Sequence, residues 1–161
     1  MKKLNIKKGE LLQSAGELNS KIYVVESGLL RSYSIDEKGK EHIFTFAPEG
    51  WIMADNISPH KESLLYIDAL EDAVVIQKEK NFETEAFKEE VEVQKLIKRV
   101  GVLQERIIML MSATAIDRYR HFIETYPEIV QRVPQRMIAS YLGITPEALS
   151  TVKKSYLNHS L

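Results

Sequence analysis

The spacing of apolar and polar positions changes twice along this chain. Up to about residue 80, short apolar runs recur in "KIYVVESG", "LLRSYSI", "HIFTFAP" and "AVVIQ", several of them alternating with polar positions. Glycines at 9, 16, 28, 39 and 50 punctuate them. Runs of this length, β-branched or aromatic and bounded by turn signals, predict an all-β sandwich or barrel. "DEKGK" (36–40) reads as a hairpin turn, with Gly39 free to take positive φ. From about 82 to 116 the period becomes helical. Proline is absent there, and apolar positions fall at Val93, Leu96, Val100, Leu103, Ile107 and Leu110, with Thr114 next. The steps alternate three and four, a heptad seam kept for about three repeats. Such a seam predicts pairing with the same helix of a second copy; packing on its own domain is the alternative. Gly101 costs about 1 kcal/mol relative to Ala in a helix interior, and beside Val100 it would let another backbone approach.

The last stretch, 117–161, is again helical in pattern, punctuated by Pro127, Pro134 and Pro146. "VPQRMIASYLGITPEALSTVKK" combines several demands within one window. Ala139 is small where two helices would cross. Gly143 suits the left-handed residue that ends the first helix. Ile138, Leu142, Ile144, Leu149 and Val152 supply the inner faces. Thr145 is a candidate N-cap and Pro146 fits the first helical position. This is the pattern of a helix-turn-helix whose second helix enters a DNA major groove. Pro146, Glu147, Ser150, Thr151, Lys153 and Lys154 would then face outward. Glu147 suits acceptance from a cytosine amino group. Lys153, Lys154 and Arg136 suit phosphates, while Ser150 and Thr151 are short and read only what comes close.

Charge first argues against that reading and then accommodates it. The formal net charge of −1 is unusual for a DNA-binding protein. It is unevenly placed: residues 1–90 hold 12 Lys+Arg against 17 Asp+Glu, whereas 117–161 hold 6 against 4. An acidic front and a mildly basic rear suit a chain whose C-terminal part meets a polyanion. Cysteine is absent, which excludes disulfides, thiol catalysis and thiolate-held iron–sulfur or zinc sites. His42, His60, His121 and His159 lack metal-ligand spacing, so no metal site is expected. No run of about 18 apolar residues and no signal core follows "MKKLNIKKGELL", so a cytoplasmic chain without a membrane segment is expected. No nucleophile–base pair, catalytic carboxylate pair or phosphate-binding glycine loop is present, and a cupin-type metal cluster is missing. No enzyme activity is expected.

The order of β-barrel, long helix and helix-turn-helix resembles the Crp/Fnr family of bacterial transcription regulators over essentially the whole chain. "IKKGELLQSAGELNSKIYVVESGLLRSY" resembles its cyclic-nucleotide-binding fold, with Gly9, Gly16 and Gly28 at the family's turn glycines and "IYVV" as the strand before the last. "VPQRMIASYLGITPEALS" resembles its DNA-binding end, particularly in short members from Bacteroidetes. The chain begins close to the first barrel strand and stops soon after the second helix of the pair. The resemblance implies an α+β chain: a cyclic-nucleotide-binding-like β-barrel or jelly roll at 1–81, a dimerisation helix at 82–116, and a helix-turn-helix domain at 117–161. It also implies a homodimer on a two-fold symmetric double-stranded DNA site read through 145–156, a small-molecule effector, and RNA polymerase as a partner.

The departures qualify this. Nucleotide-binding members carry a Glu for the ribose and an Arg for the cyclic phosphate. In "GWIMADNISPHKESLLYIDALED", Asp55 falls at the Glu, after Ala54 rather than glycine, and Ser63 or Leu64 falls at the Arg. Asp55, Ser63 and Leu64 are therefore the effector-pocket candidates. Without an Arg a buried phosphate lacks a bidentate cation, so cyclic AMP is expected to bind weakly or not at all, and no cofactor is expected. The family often places Arg at two base-reading positions held here by Pro146 and Thr151, although Glu147 is kept. The alternative is a ligand-binding or protein-interaction module whose degenerate helix-turn-helix no longer binds DNA.

Overall fold

A computed structural model describes residues 1–55, 60–80 and 90–159; for 90–92, 95, 96 and 159 it describes backbone alone. Two compact units result, Met1–Ile97 and Lys98–Leu161. The described residues of the front unit form eight strands: β1 (Lys2–Ile6), β2 (Leu11–Gln13), β3 (Ile22–Ser27), β4 (Leu30–Ile35), β5 (Glu41–Ala47), β6 (Ile52–Ala54), β7 (Tyr66–Ala69) and β8 (Ala73–Lys78). They build two four-stranded sheets, ordered β1-β8-β3-β6 and β2-β7-β4-β5, with every pair antiparallel. This is the jelly-roll type of architecture.

Alternation decides which side chains meet between the sheets. Tyr23 and Val25 of β3, Ile67 and Ala69 of β7, and Ala73 and Val75 of β8 point inward with period two and join Leu30, Ala47 and Met53 in one buried cluster. Ile22, Val24, Ile52 and Ala54 form a second buried cluster on the opposite face of the first sheet. The "IYVV" run is thus apolar throughout because β3 is buried on both faces. It is the third of eight strands and not the penultimate one; it lies next to β8 because the chain returns to it. Gly28 makes the β3–β4 turn with φ +88°, and a Cβ there would lie 2.5 Å from the Asp72 carbonyl oxygen. Gly39 takes positive φ in the 36–40 hairpin, as its turn pattern predicts.

The long helix α1 runs Glu90–Ser112, and the boundary between the two compact units falls within it. Residues 82–89 of the expected 82–116 helix lie outside the described residues. Its end also differs. Thr114 leaves the helical line and caps the next helix, its hydroxyl accepting the Asp117 N–H at 3.3 Å. The rear unit continues with α2 (Ala115–Thr125), α3 (Ile129–Arg132), α4 (Gln135–Leu142) and α5 (Pro146–His159). Its core is aromatic: Phe122, Tyr126 and Tyr141 meet pairwise with ring centroids 5.3–5.7 Å apart. Such tilted and edge-on contacts suit the ring quadrupoles.

Candidate nucleic-acid interface

Gly143 ends α4 with φ +66°, and α5 begins at Pro146, directly after Thr145. The Thr145 hydroxyl accepts the Ala148 N–H at 3.2 Å, satisfying an N–H that has no partner within α5. Pro146 follows at the first helical position, where a missing N–H costs nothing. Leu149 is fully buried, Val152 nearly so, and Ile138, Ala139 and Leu142 close the seam from α4. Ile144, expected on that seam, is half-buried.

Thr145, Pro146, Glu147, Ser150, Thr151 and Lys154 of the opposite face are exposed, as is Arg136 on α4. Lys153 is half-buried, its ammonium donating to Gln135 Oε1 at 3.1 Å. The Ser150 and Thr151 hydroxyls donate back to the Pro146 and Glu147 carbonyls, at 3.1 and 3.2 Å. That leaves their lone pairs available as acceptors. The Glu147 carboxyl is held below its usual range by its own backbone N–H and by the Thr145 hydroxyl, so it is an anion at neutral pH.

The expected seam of α1 divides into two lines. Val93, Val100 and Ile107 are exposed, and with Ile97, Ile108 and Met111 they form an apolar stripe. At 100° per residue the six lie within roughly 100° of arc. Leu103 and Leu110 are half-buried by their own chain. Leu110 lies 3.6 Å from where a Cβ on Gly143 would stand. The Leu96 side chain is outside the described residues, and Thr114 caps α2 and does not continue the seam. An added Cβ at Gly101 would meet nothing within 4 Å.

Of the effector-pocket candidates, Asp55 meets the Leu64 backbone, while the Ser63 side chain bonds elsewhere. Asp55 is buried, and its Oδ2 accepts the N–H groups of Leu64 at 2.7 Å and Leu65 at 3.1 Å. The buried Ser63 hydroxyl donates to the Ser14 carbonyl at 2.7 Å. Leu64 is 68% exposed. A buried arginine does exist in this unit, at a position the sequence pattern does not single out. Arg31 donates to both Asp68 oxygens at 2.8 Å and to Glu41 at 2.5 Å, and lies over the Tyr33 ring. Burial opposes its charge, but the two carboxylates outweigh that and hold its pKa above the ordinary value. The one signal for it in the sequence is an Arg inside a strand that also carries core residues. These residues do not fit a cyclic nucleotide: the carboxylate is occupied by backbone, and the guanidinium is occupied by two acids. Among the described residues no group of three or more His, Cys, Asp or Glu is arranged to hold a metal ion. No described helix is long and apolar enough to cross a membrane.

Comparison with known proteins agrees with this architecture. The family model of the cyclic nucleotide-binding domain matches residues 3–88. The anaerobic regulatory protein of Haemophilus influenzae is 26% identical over 165 aligned positions, covering 92% of this chain and 64% of the relative. This chain therefore spans slightly less than two thirds of that relative's length. Among solved structures, FixK2 from Bradyrhizobium japonicum superposes with a TM-score of 0.77 at 19% identity, covering 99% of this chain and 85% of its own. TTHA1359, a CRP/FNR-family transcriptional regulator from Thermus thermophilus, superposes with a TM-score of 0.79 at 17% identity, covering 98% and 87%. The chain belongs to the cyclic nucleotide-binding domain family, and its succession of jelly roll, long helix and paired C-terminal helices is the fold it shares with these two solved structures.

Proposed function

We propose that this chain is a DNA-binding transcriptional regulator that works as a homodimer, reads a two-fold symmetric duplex site with residues 145–156, and answers to an effector other than cyclic AMP. The observation that carries the reading is α5. Its buried side is fixed on α4, while Thr145, Pro146, Glu147, Ser150, Thr151 and Lys154 are left to solvent. A helix held by its inner face with polar groups outward at its N-terminal end can enter a major groove, and Arg136 and Lys153 lie near enough in sequence to flank it with phosphate contacts. The exposed stripe of Val93, Ile97, Val100, Ile107, Ile108 and Met111 supports pairing of α1 with its copy. Two copies would then present two reading helices, matching half-sites about one helical turn apart. RNA polymerase would be the protein partner at a promoter.

Asp55 and Ser63 serve the barrel itself in this reading, closing the segment that in nucleotide-binding relatives would hold the ligand. Isothermal titration with cyclic AMP is expected to give no binding at micromolar concentrations; a saturating micromolar isotherm would overturn the effector part. Selection from a random duplex pool tests the DNA part. An enriched palindrome with half-site centres about 10 base pairs apart is expected, and a pool that stays random after repeated rounds contradicts it.

A further inference from the structure

The end of α4 accounts for its carbonyl groups in an unusual way. An α-helix leaves its last four carbonyls without intrahelical partners. Here Ile144 N–H reaches the Ala139 carbonyl at 3.0 Å and Gly143 N–H reaches that of Ser140 at 3.1 Å. This is the Schellman arrangement, and it satisfies two of the four. The other two belong to Tyr141 and Leu142, and both go to arginines from other helices. Arg106 of α1 donates to the Tyr141 carbonyl at 3.2 Å and lays its guanidinium 4.2 Å from the centre of the Tyr141 ring. Arg118 of α2 donates to the Leu142 carbonyl at 3.2 Å. The same guanidinium donates to the Leu110 carbonyl of α1 at 3.1 Å and, through Nε, to the Ala113 carbonyl at 3.1 Å. Arg118 therefore ties the C-terminal ends of α1 and α4 to one cation, where both helix dipoles favour positive charge.

We propose that Arg106 and Arg118 are positioning residues that lock the helix-turn-helix turn onto the last two turns of α1, so that the direction of α5 follows α1. Water would satisfy an exposed helix end at no structural cost. Two guanidinium groups instead reach it from two different helices, and both residues are half-buried there. Leu110 completes the seat against Gly143. Arg106 and Leu110 leave α1 on a line beside the exposed stripe, not on it. One side of α1 is thus free for a second copy, while the flank next to it holds the reading head. A small rotation of α1 would be carried to α5 through these donor–acceptor contacts. An arginine fork suits this better than lysine, because its donors are fixed in one plane. The functional side of this inference rests on the DNA-binding reading above; the geometric side does not.

The chain has no cysteine, so Glu105→Cys on α1 and Asn158→Cys on α5 give two unique, exposed attachment points for spin labels. Labelled protein diluted in unlabelled protein reports distances within one copy by pulsed electron spin resonance. With both arginines present a single narrow distribution is expected. Arg106→Gln/Arg118→Gln is expected to broaden or shift it while circular dichroism keeps the helix content. If that pair unfolds the unit, Arg106→Lys/Arg118→Lys, which keeps the charges but not the planar forks, replaces it and is expected to broaden the distribution. An unchanged distribution in the variant used overturns the proposal. The same variant is then compared on duplexes with one and two half-sites. It is expected to lose the two-site advantage by about tenfold or more while keeping its one-site affinity, because only the former needs both heads in register. An equal loss on both duplexes overturns the positioning role. If the unmodified arginine protein binds neither duplex, the DNA reading fails, and the distance distribution still decides the lock.

Discussion

In the front unit, Arg31 lies against Asp68 and Glu41, Asp55 against two backbone N–H groups, and Ser63 against the Ser14 carbonyl. In the rear unit, Thr145, Glu147, Ser150, Thr151 and Lys154 face water. A ligand for the front candidates must displace partners supplied by the chain itself. A ligand for the rear face displaces solvent. Displacing a buried charge-assisted contact costs several kcal/mol unless the ligand replaces it in full. The difference supports the proposal that the rear face is the working surface, while Asp55 and Ser63 hold the front unit's own backbone. A net charge of −1 is compatible with the proposed DNA-binding end, because the acidic surplus lies in residues 1–90.

Four substitutions probe this contrast. Arg31→Ala strands Asp68 beside Tyr33 and is expected to cost about 3–5 kcal/mol, read from urea unfolding. Asp55→Ala removes the shared acceptor of two backbone N–H groups and is expected to cost about 2–3 kcal/mol in the same assay. A near-neutral result for Asp55→Ala would mean that the carboxylate is free for a ligand, and the contrast would break there. Thr145→Ala deletes an N-cap and is expected to cost about 1 kcal/mol in thermal unfolding. Because that cap starts the reading helix, DNA affinity should fall with it. Gly101→Ala is expected to raise stability by somewhat under about 1 kcal/mol, since the added Cβ meets nothing in its own chain. Sedimentation of the same variant sharpens the test. Retained dimer means the partner helix stays clear of Gly101, and a monomer means the two backbones meet there.

Local chemistry makes some of this readable from sequence. Gly143 and Thr145-Pro146 mark the end of α4 and the start of α5 because only certain residues take those conformations. Short β-branched or aromatic runs between turn residues mark β3, β4, β5 and β8, and "IYVV" does not alternate because β3 is buried on both faces. What cannot be read depends on contacts distant in sequence. The 3–4 spacing treats Leu103 and Leu110 like Val100 and Ile107, and only the folded chain shows Leu110 turned toward Gly143. No spacing rule separates a seam facing a second copy from one facing the chain's own turn. Arg106 and Arg118 look like surface charges in a helical pattern, yet their acceptors on α4 lie 35 and 24 residues away. Arg31 escapes for the same reason, since its partners come from β5 and β7. Helix α1 ends earlier than the heptad steps predict because Thr114 fits them equally well as a seam residue or as a cap.

The most direct test of the central claim is fluorescence anisotropy on duplex DNA from the upstream region of this protein's own coding sequence. Salt is varied, and the unmodified chain is compared with Lys153→Ala/Lys154→Ala. The account predicts binding that weakens steeply as salt rises, with the double variant weaker and its log–log salt slope shallower by about 2 per reading helix. Stability of the variant should fall by no more than about 1 kcal/mol, because Lys154 is exposed and the half-buried Lys153 loses one side-chain hydrogen bond to Gln135. No binding to any duplex at low salt would contradict the account and leave the chain as a ligand-binding or interaction module.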